Sequence, residues 1–229
     1  MERAAITTLI AHGTLGHSVR ATLSERLMAG VYAPGDKLSL RSVAADLGVS
    51  MMPVRDAVSR LVTDGALEVT PNKAVRVPLL DTARFRELTM LRIEIEGMAA
   101  ARAAQARDDA DLAAMSKAEA EFRLQRAKSR HQLPRIVQSN QTFHFAVYRA
   151  VKSPMLIEII TALWLKVGPI LHLEMLSDIA RIDGTAGERY HAAALAAVRN
   201  QDGRAARAAI VGDIQTASDS IIGRRLIAP

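Results

Sequence analysis

The sequence changes character near Pro78, and this change restricts the possible fold more than any other feature. Before Pro78, glycine and proline interrupt the chain every few positions, which favours short elements joined by tight turns. After it, long stretches rich in alanine, leucine, isoleucine and arginine have the periodicity of amphipathic helices. The sequence therefore predicts two domains, residues 1–80 and residues 81–229, in a mainly α fold.

Composition excludes several classes of protein. The chain of 229 residues contains no cysteine, so disulfide scaffolds, cysteine nucleophiles and thiolate metal sites are excluded. No apolar run approaches the roughly 20 residues of a membrane span, and the N-terminus lacks the pattern of a secretion signal. We therefore expect a cytoplasmic protein with no membrane partner. The net charge of +6 is spread along the chain, so nucleic-acid binding would depend on a few well-placed cations.

Residues 1–80 have the element order of a winged helix-turn-helix. The pattern predicts helices over residues 18–28, 40–47 and about 51–64, followed by a small hairpin that pairs 67–70 with 75–77. Ser39 and Ser50 precede the last two helices as expected caps, and Gly48 permits the tight turn between them. In such a motif the second helix lies in the major groove of DNA.

Six residues are candidate DNA contacts because they fall on surfaces that this motif turns toward base edges and phosphates. The alternative interpretation is an ordinary pair of packed helices whose arginines form a solvated face. The candidates are Ser50, Met51, Met52 and Arg55 near the start of the second helix, Arg41 on the helix before it, and Lys73 at the hairpin tip.

The same region resembles a known family. Over about residues 15–78 the chain is similar, in residue order and spacing, to the winged-helix domain of GntR-family bacterial transcription regulators. The similar segments are 30–38 (GVYAPGDKL), 47–50 (LGVS), 53–57 (PVRDA) and 71–73 (PNK). The resemblance implies a homodimeric repressor that binds double-stranded operator DNA. The chain departs from the family where Met51 replaces a common arginine, Leu40 a glutamate and Ala74 the glycine of the wing tip. The change at Met51 predicts an altered operator sequence.

The sequence pattern predicts helices throughout residues 81–229. The pattern predicts six, over about 82–106, 109–130, 132–151, 154–177, 185–200 and 202–224. Six helices of this length form a bundle with room for a core and a cavity.

This second region resembles the all-helical FCD ligand-binding domain of the FadR subgroup over about residues 82–222. The similar segments are 91–100 (LRIEIEGMAA), 140–144 (NQTFH) and 188–191 (ERYH). The resemblance implies a metal site that is usually one aspartate and three histidines. In this chain Asn140 stands in place of the aspartate, and Asp213 stands where the last histidine is common.

The residues themselves support a metal site of this kind. Asn140 and His144 are four residues apart on one helix face. His191 and Asp213 lie at similar distances from one helix-joining turn, so an antiparallel hairpin brings them side by side. Two imidazoles, one carboxylate and an amide oxygen could hold a divalent ion such as zinc, nickel or manganese. The alternative is a pair of core histidines bonded to Asn140 and Asp213, with no metal.

A metal ion with open positions would bind the oxygens of a small carboxylic-acid effector. Arg92, on an otherwise apolar helix, is a candidate bidentate clamp for that carboxylate. The alternative role for Arg92 is an ion pair with Glu96, four residues on. Arg149, just beyond His144 on the same helix, is a second candidate for the effector cavity.

Three functions are compatible with these patterns. The leading hypothesis is a ligand-responsive transcription factor, not an enzyme, in which effector binding changes the spacing of two winged helices on a palindrome. The alternative is a metal-dependent enzyme that uses the His/His/Asp site. It is disfavoured because no general base or nucleophile is evident beside the site. A third hypothesis is an architectural DNA-binding protein that binds no ligand.

Overall fold

The computed structural model describes residues 2–127, 133–179 and 186–228. The chain begins with three helices and three short strands in the order of a winged helix-turn-helix, and six further helices follow, as the mainly α prediction requires. The first group is α1 (Glu2–Met28), β1 (Lys37–Leu38), α2 (Leu40–Leu47), α3 (Met51–Thr63), β2 (Glu68–Val69) and β3 (Val75–Arg76).

Helix α1 begins well before the predicted start at residue 18. Gly13 and Gly16 lie within it, and the low helix propensity of glycine explains why the sequence pattern did not predict these turns. The later part of α1 buries Val19, Leu23 and Leu27 as predicted, and the helix packs against α3.

The three strands form one small antiparallel sheet in the order β1-β3-β2. Arg76 of β3 is paired with Lys37 on one side and with Glu68 on the other. The Glu68 carboxylate also accepts a hydrogen bond from the Arg76 side chain at 2.5 Å. Strand β1 was not predicted, because two residues after a turn carry no recognisable alternation.

The C-terminal helices follow the predicted pattern closely. Asp81 caps the first of them by accepting the Arg84 backbone N–H at 2.8 Å, and Asp202 caps the last by accepting that of Ala205 at 2.9 Å. They are α4 (Thr82–Ala106), α5 (Asp109–Ala127), α6 (Leu133–Arg149), α7 (Pro154–Ile179), α8 (Ala186–Arg199) and α9 (Gly203–Gly223).

Small residues bring α4 and α9 close together. Ala99, Ala100 and Ala103 of α4 are fully buried. A Cβ atom at Gly203 would lie 2.8 Å from the carbonyl oxygen of Ala101, so only glycine fits there. This contact fixes the two helices that carry the opposite sides of the site described below.

Helix α7 joins the bundle to the winged helix. At Gly168 a Cβ atom would lie 2.6 Å from the Cα atom of Met28, at the end of α1. Near it, the Lys166 ammonium group donates to the backbone carbonyl of Asp64 at 2.6 Å, and Arg20 of α1 forms an ion pair with the Asp64 carboxylate at 2.8 Å. A single helix therefore touches both α1 and the end of α3.

One segment among the described residues is long and apolar enough to cross a membrane. It is Pro154–Met175 of α7, with a mean hydropathy of 1.6. The expectation that no apolar run approaches this length is therefore wrong. Half of this segment is buried within the fold, and a core helix of a soluble protein satisfies the same criterion.

Candidate functional site

The helix-turn-helix has the geometry that its sequence predicts. Gly48 adopts the left-handed conformation, with φ 64°, in the turn between α2 and α3. Ser39 caps α2 by accepting the Ser42 backbone N–H at 3.2 Å. Ser50 occupies the N-cap position of α3, but its side chain forms no capping hydrogen bond. The expected capping role of the Ser50 hydroxyl is thus not observed, and the side chain is exposed at the helix start.

All six candidate DNA-contact residues lie at the surface. Met52 is 60% exposed and Met51 36%, although both are large apolar side chains. Within the described part of the chain, none of the three cationic candidates takes part in an ion pair, which leaves them available to phosphates or bases. The exposed set is Arg41, Ser50, Met51, Met52, Arg55 and Lys73.

The wing places Lys73 at the tip of its turn. The backbone N–H groups of Thr70 and Lys73 bond to the carbonyls of Ala74 and Thr70 at 2.9 and 2.8 Å. Lys73 has a φ of 62°, a conformation more common for glycine than for lysine. The turn therefore presents an exposed cation at the hairpin tip, where the sequence predicted it.

A second candidate site lies inside the bundle. A cavity of about 220 Å³ is enclosed by side chains of the C-terminal helices and of the residues that follow α9. Its wall contains three arginines and two carboxylates, together with aromatic and aliphatic side chains. The charged and polar residues of the wall include Arg92, Arg126, Asn140, His144, Glu174, Asp213, Ser220 and Arg224.

Three of the four predicted metal ligands converge beside this cavity, whose wall includes His144 and Asp213. His144 and His191 are buried, with 1% and 0% exposure. The Nε2 atom of His144 lies 3.1 Å from Oδ2 of Asp213 and 3.3 Å from Nε2 of His191. One ligand atom from each residue lies within 4.8 Å of the other two, so a single divalent ion could contact all three.

The fourth predicted ligand, Asn140, also faces the cavity. It is one turn before His144 on α6, lines the same space and is buried. An amide oxygen is a weaker ligand than the carboxylate usual at this position in the FadR subgroup. The three convergent side chains therefore form the centre of the site, and Asn140 lies at its edge.

Burial and neighbouring charges set the ionisation of the site. Burial, and then the charge of His144, lower the pKa of His191 to about 3, so its imidazole is neutral. Burial would raise the pKa of Asp213, but the hydrogen bond from His144 and the nearby positive charges keep it below its ordinary value. A neutral imidazole and an ionised carboxylate are the forms that bind metal.

Aromatic rings fix the orientation of His191. Its imidazole stacks on Phe143 with a centroid distance of 4.0 Å and contacts Phe122 at 4.5 Å. Its Nδ1 atom is buried and has no hydrogen-bond partner among the described residues. Nε2 is therefore the nitrogen directed at His144 and Asp213.

The structure corrects the prediction for Arg92. Its guanidinium donates to both oxygens of Glu96, from Nε at 2.6 Å and from Nη2 at 3.2 Å. Arg92 is 4% exposed and Glu96 is fully buried. Arg92 lines the cavity, but the intrahelical pair occupies the fork that a carboxylate clamp would need.

The structure does not bring Arg149 to this cavity. Arg149 lines a separate cleft of about 420 Å³ between α1, α6 and α7. Its guanidinium lies over the ring of Phe145, 5.3 Å from the centroid. Position 149 falls five residues after His144 and so points away from the face that carries Asn140 and His144.

Sequence reasoning missed a buried polar network beside the ligands. Glu96 accepts hydrogen bonds from the Tyr148 hydroxyl at 2.6 Å and from Nε1 of Trp164 at 2.9 Å. The Tyr148 oxygen also lies 3.0 Å from Nδ1 of His144. The four-residue spacing of Tyr148 from His144 was the available signal, since it places both on one helix face.

Two family profiles match the chain. The profile of the bacterial regulatory proteins of the gntR family covers residues 3–77. The FCD domain profile covers residues 87–216, more than half of the chain. The chain belongs to the GntR family of transcriptional regulators. Its FCD domain assigns it to the FadR subgroup, as the sequence motifs indicated.

Characterised relatives support this membership. The chain is 35% identical over 161 residues to the HTH-type transcriptional regulator McbR of Escherichia coli K12. This alignment covers 70% of this chain and 72% of McbR. It is 33% identical over 84 residues to the Nta operon transcriptional regulator of Aminobacter aminovorans, covering 37% of this chain and 40% of that protein.

Solved structures have the same fold. The structure of E. coli McbR/YncC matches with a TM-score of 0.79 and 28% identity, covering 93% of this chain and 98% of that one. A GntR regulator from Rhodococcus sp. RHA1 matches with a TM-score of 0.70 and 22% identity, covering 91% and 97%. This GntR-family protein is therefore a DNA-binding transcriptional regulator and not an enzyme.

Proposed function

We propose that this regulator is a cytoplasmic, homodimeric repressor whose operator affinity is controlled by a small organic acid. The acid binds, together with a divalent metal ion, in the cavity of the helical domain of residues 81–229. The winged helix of residues 1–80 reads the operator. The convergence of His144, His191 and Asp213 beside a cavity lined by His144, Asp213 and three arginines is the observation that carries this proposal.

The donor set supports a borderline divalent ion. Two imidazole nitrogens and one carboxylate oxygen suit zinc, nickel or manganese, and Asn140 adds one neutral oxygen at the edge. A bound ion of this kind would supply open coordination positions for oxygen atoms of the effector.

The lining of the cavity supports an anionic effector of limited size. The guanidinium groups of Arg92, Arg126 and Arg224 place N–H donors in a wall that also contains the carboxylates of Glu174 and Asp213. Arg92 and Arg126 are themselves paired with Glu96 and Glu188. The Ser220 hydroxyl is buried without a hydrogen-bond partner among the described residues, so it can bond to a ligand oxygen. A volume of about 220 Å³ is smaller than a cavity for a drug-sized ligand and fits a short carboxylic acid.

The exposed residues of α3 and the wing support operator reading by Arg55, Arg41 and Lys73. An arginine near the start of a recognition helix donates to guanine or phosphate, whereas Met51 contributes an apolar contact such as that with a thymine methyl group. We therefore expect the operator to differ from the usual family sequence at the base pair opposite Met51.

A second copy of the chain is supported by the apolar surface of α4. Met90 is 57% exposed, Leu91 43% and Met98 38%. Helix-turn-helix proteins bind palindromes as dimers, and a dimer on the operator needs no further contact to block transcription. Light scattering of the purified protein should therefore give twice the chain mass.

Helix α7 supports communication between the two sites. Trp164 faces the cavity and donates to Glu96, and Lys166 on the same helix bonds to the end of α3. An effector that displaces Trp164 would move the contact that positions the recognition helix.

The test begins with metal content. Protein stripped with chelator and then supplied with zinc, nickel or manganese should retain one ion per chain by elemental analysis. His144→Ala should retain none, whereas His17→Ala, an exposed histidine of α1, should behave as wild type.

A thermal-shift screen of short carboxylic acids, with and without metal, should then give stabilisation that depends on both. The active acid should change the affinity for operator DNA in a fluorescence-anisotropy titration. Wild-type protein that retains no metal and responds to no acid would show that the histidines are only core residues.

A further inference from the structure

We infer that Tyr148 is a positioning residue that fixes the tautomer of His144 and thereby directs its Nε2 lone pair toward the metal position. The inference rests on the proposed function, since it concerns how the same site is prepared. Tyr148 acts through His144 and does not itself face the three ligand atoms.

The geometry consists of a chain of buried hydrogen bonds. Glu96 accepts from the Tyr148 hydroxyl at 2.6 Å, and the same Tyr148 oxygen lies 3.0 Å from Nδ1 of His144. Glu96, Tyr148 and His144 have exposures of 0%, 0% and 1%. Water therefore does not compete for these donors and acceptors.

The direction of each hydrogen bond follows from the carboxylate. Both oxygens of Glu96 already accept from Arg92, and one accepts from Trp164 at 2.9 Å. A carboxylate surrounded by donors offers only lone pairs, so the single Tyr148 proton points to Glu96. The Tyr148 oxygen then presents a lone pair to Nδ1 of His144, which must carry a proton to complete the bond.

With Nδ1 held by Tyr148, Nε2 is the His144 atom that faces the other two ligands. It lies 3.1 Å from a carboxylate oxygen of Asp213 and 3.3 Å from Nε2 of His191, and without metal a proton on Nε2 forms the hydrogen bond to Asp213. A metal ion would bind Nε2 in place of that proton, while the proton on Nδ1 stays in the hydrogen bond with Tyr148. The chain of hydrogen bonds from Glu96 thus turns the metal-binding nitrogen of His144 toward the two other ligands.

The Arg92–Glu96 pair supports this chain of hydrogen bonds. Arg92 donates to both Glu96 oxygens, so the carboxylate is fixed where it accepts the hydrogen bond from Tyr148. The arginine predicted to clamp the effector instead supports the residue that orients a metal ligand.

The decisive variant is Tyr148→Phe, which keeps the ring and removes only the hydroxyl. We expect metal affinity, measured by competition with a chelator, to fall about 10- to 100-fold, the usual effect of removing an outer hydrogen-bond partner of a ligand histidine. Thr89→Val is the matched control. It removes another buried hydroxyl of the bundle, which bonds to Phe85 and Ser218 and does not touch Glu96.

The proton on Nδ1 can be measured without metal. In chelator-stripped protein, ¹⁵N chemical shifts should show a proton on Nδ1 of His144 in wild type and in Thr89→Val. Tyr148→Phe should lower the fraction of His144 that carries this proton and so change the tautomer population.

Unchanged metal affinity and an unchanged tautomer in Tyr148→Phe would overturn the inference, and so would an equal loss of affinity in Thr89→Val. If wild type binds no metal, the proposed function fails, and the ¹⁵N measurement alone still decides the role assigned to Tyr148.

Discussion

The contact between α1 and α7 allows a sharp test through two glycine-to-alanine substitutions of opposite sign. Both Gly16 and Gly168 lie in helix interiors, where alanine is favoured over glycine by about 0.8–1 kcal/mol. A Cβ atom at Gly16 would meet nothing within 4 Å. Gly16→Ala should therefore stabilise the protein by up to about 1 kcal/mol.

At Gly168 the same methyl group meets backbone. Its Cβ atom would lie 2.6 Å from the Cα atom of Met28 and 2.8 Å from the carbonyl oxygens of Leu27 and Met28. Backbone atoms cannot rotate away, so α7 and the end of α1 must separate, at a cost of about 1–3 kcal/mol. After the gain in helix propensity, we expect Gly168→Ala to be less stable than wild type by up to about 2 kcal/mol.

The assay is urea unfolding, followed by far-UV circular dichroism and by the fluorescence of Trp164, the single tryptophan. The difference in unfolding free energy is obtained from the midpoint and the slope m. A Gly168→Ala protein as stable as Gly16→Ala would refute the close approach of α7 to Met28, and with it the route by which the cavity contacts the winged helix.

Three further outcomes are expected. Arg55→Ala should weaken operator binding by about 1–3 kcal/mol in a fluorescence-anisotropy titration. Arg60→Ala, at the far end of α3, should have little effect. Equal losses of affinity in the two variants would contradict the assigned recognition surface. Glu96→Leu should lower the unfolding free energy by about 3–5 kcal/mol because Arg92 is left buried and unpaired, and the double variant with Arg92→Met should recover most of the loss. Metal-stripped protein should lose about 2 kcal/mol of stability between about pH 8 and pH 5, because the unfolded chain protonates His191 near 6.5 while the folded pKa is about 3. This contribution is complete above the unfolded pKa and disappears as the pH falls, so His191→Gln should flatten that part of the urea-unfolding profile.

Much of the fold was predictable because its signals are local. The start of α2 was marked by Ser39 as a capping residue, and the cap forms in the structure. Gly48 marked the turn of the DNA-binding motif and has the expected positive φ. Strand β1 and the first turns of α1 were missed because two residues carry no periodicity and because glycine weakens a helical pattern.

The candidate metal ligands were partly predictable for a similar reason. Residues four apart share a helix face, and residues at equal distances from a helix-joining turn lie opposite each other. These two rules paired Asn140 with His144 and His191 with Asp213, and the resemblance to the FCD domain joined the two pairs into one predicted site. The structure places ligand atoms of His144, His191 and Asp213 within 4.8 Å of one another.

The sequence by itself determined the winged helix-turn-helix, the six-helix bundle and two pairs of candidate ligands, because periodicity, caps and spacing act within one helix or one helical hairpin. The packing of the helices then brought His144 to His191 and Asp213. Only the tertiary structure decided which partner each buried charge has. Arg92 was within reach of either a ligand or Glu96, and packing against Trp164 selected the pair. Contacts between distant helices, such as Tyr148 to Glu96, depend on how the helices pack, and no local pattern encodes that packing.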